Sequence, residues 1–270
     1  MPGNNPQRRN YLAEIKTAVE RRPLAAIFYG PPGIGKTTLG AQAPSPVFVT
    51  DPKEDGLTTL KNYGRVPATI PQITAANWGD TLGIIDELAQ GEHNYRTLVM
   101  DSMAGFERLC HNEVVARDFF GDWGEKGFMS FHKGYTVSLP YWLELLNALD
   151  RIRDKGMSVI ILAHSMVKTV KNPAGEDYDH FIPDVHEKTW QLTHKWADLV
   201  GFMQYVVAVD GDGKAHGGQQ RIMATEFHPA YEAKNRMGLP ADIDMGDSGQ
   251  EAWTNLANAL KACVAKKGGE

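Results

Sequence analysis

The segment Gly30-Pro31-Pro32-Gly33-Ile34-Gly35-Lys36-Thr37 constrains this chain more than any other feature. It fits Gly-x-x-x-x-Gly-Lys-Thr at every required position. In that pattern glycines let the backbone wrap closely around phosphates, so that its N–H groups point at the anion. The loop works only between a strand and a helix. An apolar run over 24–29 precedes it and a helical stretch over 36–41 follows it, so both flanks are present. Gly30 through Thr37, together with Thr38, are the expected nucleotide contacts. Lys36, read as facing solvent, should reach the β- and γ-phosphates, and Thr37 should ligate Mg²⁺, which makes ATP and Mg²⁺ the expected cofactors.

Residues 97–101, Thr-Leu-Val-Met-Asp, read as a buried strand ending at Asp101, whose carboxylate is expected to hold Mg²⁺ directly or through water. Ser102 follows, where an ATPase of the Asp-Glu type places its water-activating glutamate. Another carboxylate must then polarise water. Glu54, just beyond a strand over 46–50, is the candidate, with Asp51 and Asp55 as competitors. His164 closes a strand over 157–163, where a polar side chain can sense the γ-phosphate and relay its presence to the following segment.

Helical periodicity over 78–90 and again from Trp142 to Ile152, the latter opened by Pro140, alternates with the buried strands. A hairpin across 210–213 and a last helix behind the capping pair Ser248 and Glu251 complete the pattern. The expected fold is α/β, with a mainly parallel central sheet flanked by helices and an antiparallel edge hairpin. Leu12, Ile15 and Val19 suggest a helical extension, so the chain divides into an extension (1–22), an ATPase core (23–247) and a C-terminal helix with its tail (248–270). Residues 119–138 and 165–188 lack a clear period and read as long loops. Asp242, Asp244 and Asp247 read as a turn, and His180, His186 and His194 lack zinc-ligand spacing.

A net charge of −5 over 270 residues gives no global positive field, so any nucleic-acid contact must be local. Two separate cysteines, Cys110 and Cys263, and the lack of any run of ~18 apolar residues lead to a cytoplasmic reading with no membrane partner.

Four motifs together carry a resemblance: Gly30-Pro-Pro-Gly-Ile-Gly-Lys-Thr-Thr, Val99-Met-Asp-Ser, Ile161-Leu-Ala-His-Ser and Tyr231-Glu-Ala-Lys-Asn-Arg-Met-Gly-Leu-Pro. Over residues 24–240 the chain resembles phage-borne RecA-like ATPases of the AAA type, a group that includes single-strand annealing recombinases with a minimal RecA core. The resemblance implies a RecA-type sheet and a ring or filament with ATP at subunit interfaces. It also implies binding of single-stranded DNA, with a single-strand DNA-binding protein as a further partner, in the host cytoplasm if phage-encoded. By position, Glu54 resembles the family's catalytic glutamate, although Asp51-Pro-Lys-Glu-Asp-Gly departs from the commoner Asp-Thr-Glu-Gly-Gly. Lys234 and Arg236 resemble a Lys-x-Arg pair extended to a neighbour's ATP. Segments 165–188 and 119–138 occupy the places of DNA-binding loops, in which Lys126, Lys133, Lys168 and Lys171 are candidates for phosphate contact and Trp123, Phe128, Phe131 and Tyr135 for base stacking. An ATP-switched annealing protein with negligible hydrolysis and a small-molecule kinase are the rival readings.

Overall fold

The structure, a computed structural model, describes residues 22–209 and 215–266. The expected N-terminal helix, the hairpin turn at 210–213 and the end of the tail lie outside these residues.

Six parallel strands form the body of the sheet: β1 (Ala25–Gly30), β2 (Pro46–Thr50), β3 (Gln72–Thr74), β4 (Thr97–Asp101), β5 (Ser158–Val170) and β7 (Leu199–Val209). Their spatial order is β7-β1-β5-β4-β2-β3, so β5 is inserted between β1 and β4, the strands that carry the two nucleotide motifs. β8 (Ala215–Ala224) pairs antiparallel with β7, and β10 (Asp242–Asp244) pairs antiparallel with β8, forming the expected edge. Asp242 and Asp244 thus belong to a strand, not to the turn read from their spacing. This is the expected α/β arrangement, a mainly parallel sheet with an antiparallel edge.

Alternate residues of each central strand feed opposite layers, which is why the strands read as continuous apolar runs. Ile27, Leu98, Met100, Val159 and Ile161 face one core, with α3 (Trp78–Gln90), α4 (Met103–Asp118), α5 (Lys133–Asp154) and α6 (Glu187–Trp196). Ala26, Phe28, Val99, Ile160 and Leu162 face the other, with α1 (Lys36–Gly40), α2 (Gly56–Asn62) and α7 (Gly249–Lys266). The capping pair is present at α7, where the Ser248 hydroxyl accepts from Glu251 N–H at 3.1 Å.

Two expected loops contain regular structure. α5 begins at Lys133 and carries Pro140 in its interior, because Phe128, Tyr135, Val137 and Tyr141 pack with Val114 and Val115 of α4 and hold the earlier turns helical. Between Ser165 and Lys188, β5 continues to Val170 and turns into β6 (Tyr178–Pro183), an antiparallel hairpin. α6 escapes a hydrophobic reading because its buried face includes Thr189 and Thr193; the Thr193 hydroxyl donates to Thr189 O and accepts from Trp142 Nε1, each at 2.8 Å.

Candidate nucleotide-binding site

Parallel register brings the functional strand ends to one edge of the sheet. Gly30 lies opposite His164, Asp101 opposite Leu162, and Thr50 opposite Asp101. Ligands of open α/β sheets sit at this carboxyl edge. A cavity of about 380 Å³ opens there, and its walls include Pro32, Gly33, Gly35, Lys36, Thr37, Thr38, Glu54, Asp101 and His164. A larger cavity of about 660 Å³ runs along β3 and α3; its mostly apolar wall carries none of the phosphate-loop residues.

Gly33 and Gly35 take φ of 80° and 106°, the left-handed region in which a side chain is strained. Gly30 is required for a different reason: a Cβ on it would lie 2.3 Å from the Met203 carbonyl oxygen of β7. Pro31, Pro32 and Ile34 complete the turn, with Ile34 fully buried. Lys36 is 7% exposed, which corrects the solvent-facing placement. Its Nζ donates to Gly30 O at 2.9 Å and Pro31 O at 3.0 Å, folding the side chain over its own loop. Burial pushes its ammonium down to about 8, with Asp101 and Glu54 opposing.

Thr37 and Asp101, the expected Mg²⁺ ligands, touch: the Thr37 hydroxyl donates to Asp101 Oδ2 at 2.8 Å. Burial, then the Glu54 charge, pushes the Asp101 carboxyl up to about 7. A buried carboxylate and a hydroxyl converging beside the phosphate loop suit a hard divalent cation, whose charge would offset that desolvation. The residues present therefore fit Mg²⁺.

The three candidate acids beyond β2 differ in burial and in partners. Asp51 is 2% exposed, accepts from Arg108 at 2.7 Å and from Lys53 N–H at 3.0 Å, and lies hard against Gly105 of α4. It is a structural acid. Asp55 also lines the cavity, exposed at the start of α2. Glu54 lines the cavity, and its Oε1 accepts from Gly56 N–H at 3.0 Å. A Cβ on Gly56 would lie 2.8 Å from that oxygen and 3.7 Å from the Thr37 hydroxyl, which places the Glu54 carboxylate beside the Mg²⁺ ligands. His164 also lines the cavity. Its Nδ1 is buried and without a hydrogen-bond partner, and burial, then Lys36, lowers its pKa, so the ring is held neutral.

Lys234 and Arg236 are not brought to this site. Lys234 and Asn235 form β9, which pairs with the first residues of β7. That is the level of Ala26, opposite Leu199, close to the far end of β1 from Gly30 and about 13 Å away at ~3.3 Å per residue. Lys234 Nζ donates to the carbonyls of His194 and Lys195 at the end of α6, where a cation suits the helix dipole. Arg236 donates to Lys195 O at 3.1 Å and pairs with Asp198 at 3.7 Å. Neither reaches the phosphate loop of its own chain.

The expected DNA contacts are also redistributed. Lys126 and Lys133 are exposed, but Lys168 is paired with Glu187 at 2.6 Å and Lys171 with Asp177. Phe128 is fully buried and Tyr135 stacks flat on His186 at 3.9 Å, so neither is free to receive a base. Phe131 is fully exposed and Trp123 is 44% exposed.

Sequence reasoning missed Arg221 of β8. Its Nη1 donates to Ile34 O at 3.2 Å and its Nη2 to Gly246 O at 2.7 Å. Nothing in the local sequence marks it, since its partners lie 187 and 25 residues away.

Among solved structures, the flagellar accessory protein FlaH from Methanocaldococcus jannaschii is similar to this chain at 12% identity and a TM-score of 0.42, covering 88% of this chain and 91% of its own. No curated protein matches. The model of the AAA domain matches residues 22–237, most of the chain and all of the elements that build the phosphate loop, Asp101 and His164. The chain therefore belongs to the AAA domain family.

Proposed function

We propose that this protein is an ATP- and Mg²⁺-dependent ATPase that binds single-stranded DNA and promotes annealing or strand exchange in phage-type recombination. The observation that carries the reading is the continuity of β5. The strand runs between the two nucleotide-motif strands, passes His164 on the cavity wall, and becomes the first arm of the exposed β5–β6 hairpin without a break. A γ-phosphate felt by His164 would thereby bear on the hairpin.

In this reading the loop from Gly30 to Thr38 and Lys36 hold the phosphates, while Thr37 and Asp101 hold Mg²⁺, which neutralises charge on the phosphate oxygens. Glu54 accepts the proton of the attacking water. Arg236, remote from its own phosphate loop, serves a neighbouring subunit's nucleotide in a ring or filament, with Lys234 beside it. DNA meets the hairpin around Lys168 and Lys171 and the turn around Lys126, Phe131 and Lys133.

A nucleotide-switched annealing protein with negligible turnover is favoured by one observation, the engagement of Glu54 by Gly56 N–H. Measuring ATP turnover with and without single-stranded DNA, together with DNA affinity with and without ATP, separates the readings. Turnover that rises with DNA supports the ATPase. ATP-dependent DNA binding without turnover supports the switch, and absence of DNA binding in every nucleotide state overturns both.

A further inference from the structure

The phosphate loop is held from outside by a residue the nucleotide motifs do not include. Gly33 and Gly35 both adopt left-handed backbone, so the segment between them has unusual freedom to lose when it orders around a ligand. Ile34 lies between the two. Its side chain is fixed in the core, and its carbonyl accepts from Arg221. The same guanidinium donates to Gly246 O, and Arg221 O accepts from Met245 N–H at 2.9 Å. Gly246 is itself held, because its N–H donates to Asp244 Oδ1 at 2.9 Å and the Glu251 side chain, which accepts from Asp247 N–H, packs against it. Independently, α7 leans on α1, the helix that follows the loop: a Cβ on Gly249 would lie 2.5 Å from the Thr38 methyl group.

We propose that Arg221 is a positioning residue for nucleotide binding. It bridges the left-handed segment of the phosphate loop to the β10–α7 connection, so that the loop's N–H groups are aimed before the phosphates arrive. Arginine suits this role because its planar fork serves two carbonyls at once, and its charge makes each bond stronger than a neutral one. Preorganisation of this kind acts on affinity by removing ordering cost from the binding step. The inference rests on nucleotide binding at the phosphate loop and is independent of the DNA reading.

The test compares full-length wild type, Arg221→Gln and Arg221→Lys by titration with ATP·Mg²⁺, steady-state turnover, and hydrogen exchange of the peptide spanning Gly33 to Lys36. Loss of the charged bridge should weaken ATP binding about tenfold in Arg221→Gln, and about threefold in Arg221→Lys, which keeps the charge but not the fork. The kcat at saturating ATP should fall less than the affinity, and exchange in the peptide should quicken while the β1 and β5 peptides stay protected. A folded Arg221→Gln protein with wild-type affinity overturns the proposal, as does a collapse of kcat at unchanged affinity. Should Arg221→Gln fail to fold, unchanged affinity in Arg221→Lys overturns it equally. Failure of the wild type to bind ATP·Mg²⁺ would instead overturn the reading of the site itself.

Discussion

The phosphate loop and the β5–β6 hairpin leave the same edge of one sheet, yet their charged groups are treated in opposite ways. At the loop, Lys36 and Asp101 are withdrawn from water and their protonation is strained by burial. At the hairpin, Lys168 and Lys171 stay partly or largely exposed, each quenched by an acid of its own neighbourhood. A buried charge interacts strongly with whatever relieves it, whereas an exposed, paired charge gains little from a change of partner. The charges at the loop should therefore respond strongly to a ligand that relieves them, and those at the hairpin only weakly.

The sharpest way to break this contrast is to show that the loop end is incomplete without a second subunit. If Arg236 serves a neighbour's nucleotide, Arg236→Ala should bind ATP but lose about 10³–10⁵ in turnover, as removal of such a finger does elsewhere. Mixing it with Lys36→Ala protein should restore part of the activity, because some interfaces then hold one intact Lys36 and one intact Arg236. A loss of melting temperature with normal turnover would show instead that Arg236 only secures the end of α6.

Next in size is the division between two acids three residues apart. Glu54→Gln should retain ATP binding while turnover falls about 10²–10⁴-fold, the range of a lost general base. Asp51→Asn should leave ATP affinity alone and cost about 1–3 kcal/mol of stability, less than for a fully buried pair because Arg108 is partly solvated. The reverse assignment in paired turnover and melting measurements would refute the placement.

The burial of Asp101 gives a pH signature. With its carboxyl pushed up to about 7, a proton must leave before Mg²⁺ can bind at lower pH. Mg²⁺ affinity measured with ATP should thus be level above about pH 7 and fall below it, approaching tenfold per unit for one proton released. A flat profile between pH 5 and 8 would mean that the Asp101 carboxyl is ionised throughout.

The smallest effects belong to the hairpin. Lys168→Ala combined with Lys171→Ala should reduce the slope of log affinity for single-stranded DNA against log salt by about one, and Asp177→Asn should raise that affinity a few-fold by releasing Lys171. Equal slopes in folded wild type and double variant would move DNA away from the hairpin.

The unequal legibility of these regions has a physical origin. Gly30 to Thr37 act largely through backbone and nearest neighbours, so their spacing alone locates the site, and the strand over 97–101 ends at Asp101 as its run of apolar residues requires. Setting Asp51 apart from Glu54 and Asp55 needed Arg108, a residue 57 positions beyond Asp51. The helical start of α5, the polar inner face of α6 and the bridge made by Arg221 likewise depend on partners supplied by other elements. Lys168 and Lys171 were visible as charges, but the acids that quench them became apparent only once β6 and α6 were placed beside β5.

The unbroken run of β5 also has a thermodynamic consequence. Six of its residues are locked in register to β1, and the six from Ser165 to Val170 are locked to β6. If the two ends shift together, a ligand at the hairpin and a nucleotide at the loop are linked by one coupling free energy, and that quantity is symmetric. Whatever factor ATP applies to affinity at the hairpin, the hairpin's ligand must apply to affinity for ATP. Two equilibrium titrations, each made in the presence and absence of the other ligand, would then have to close on the same number.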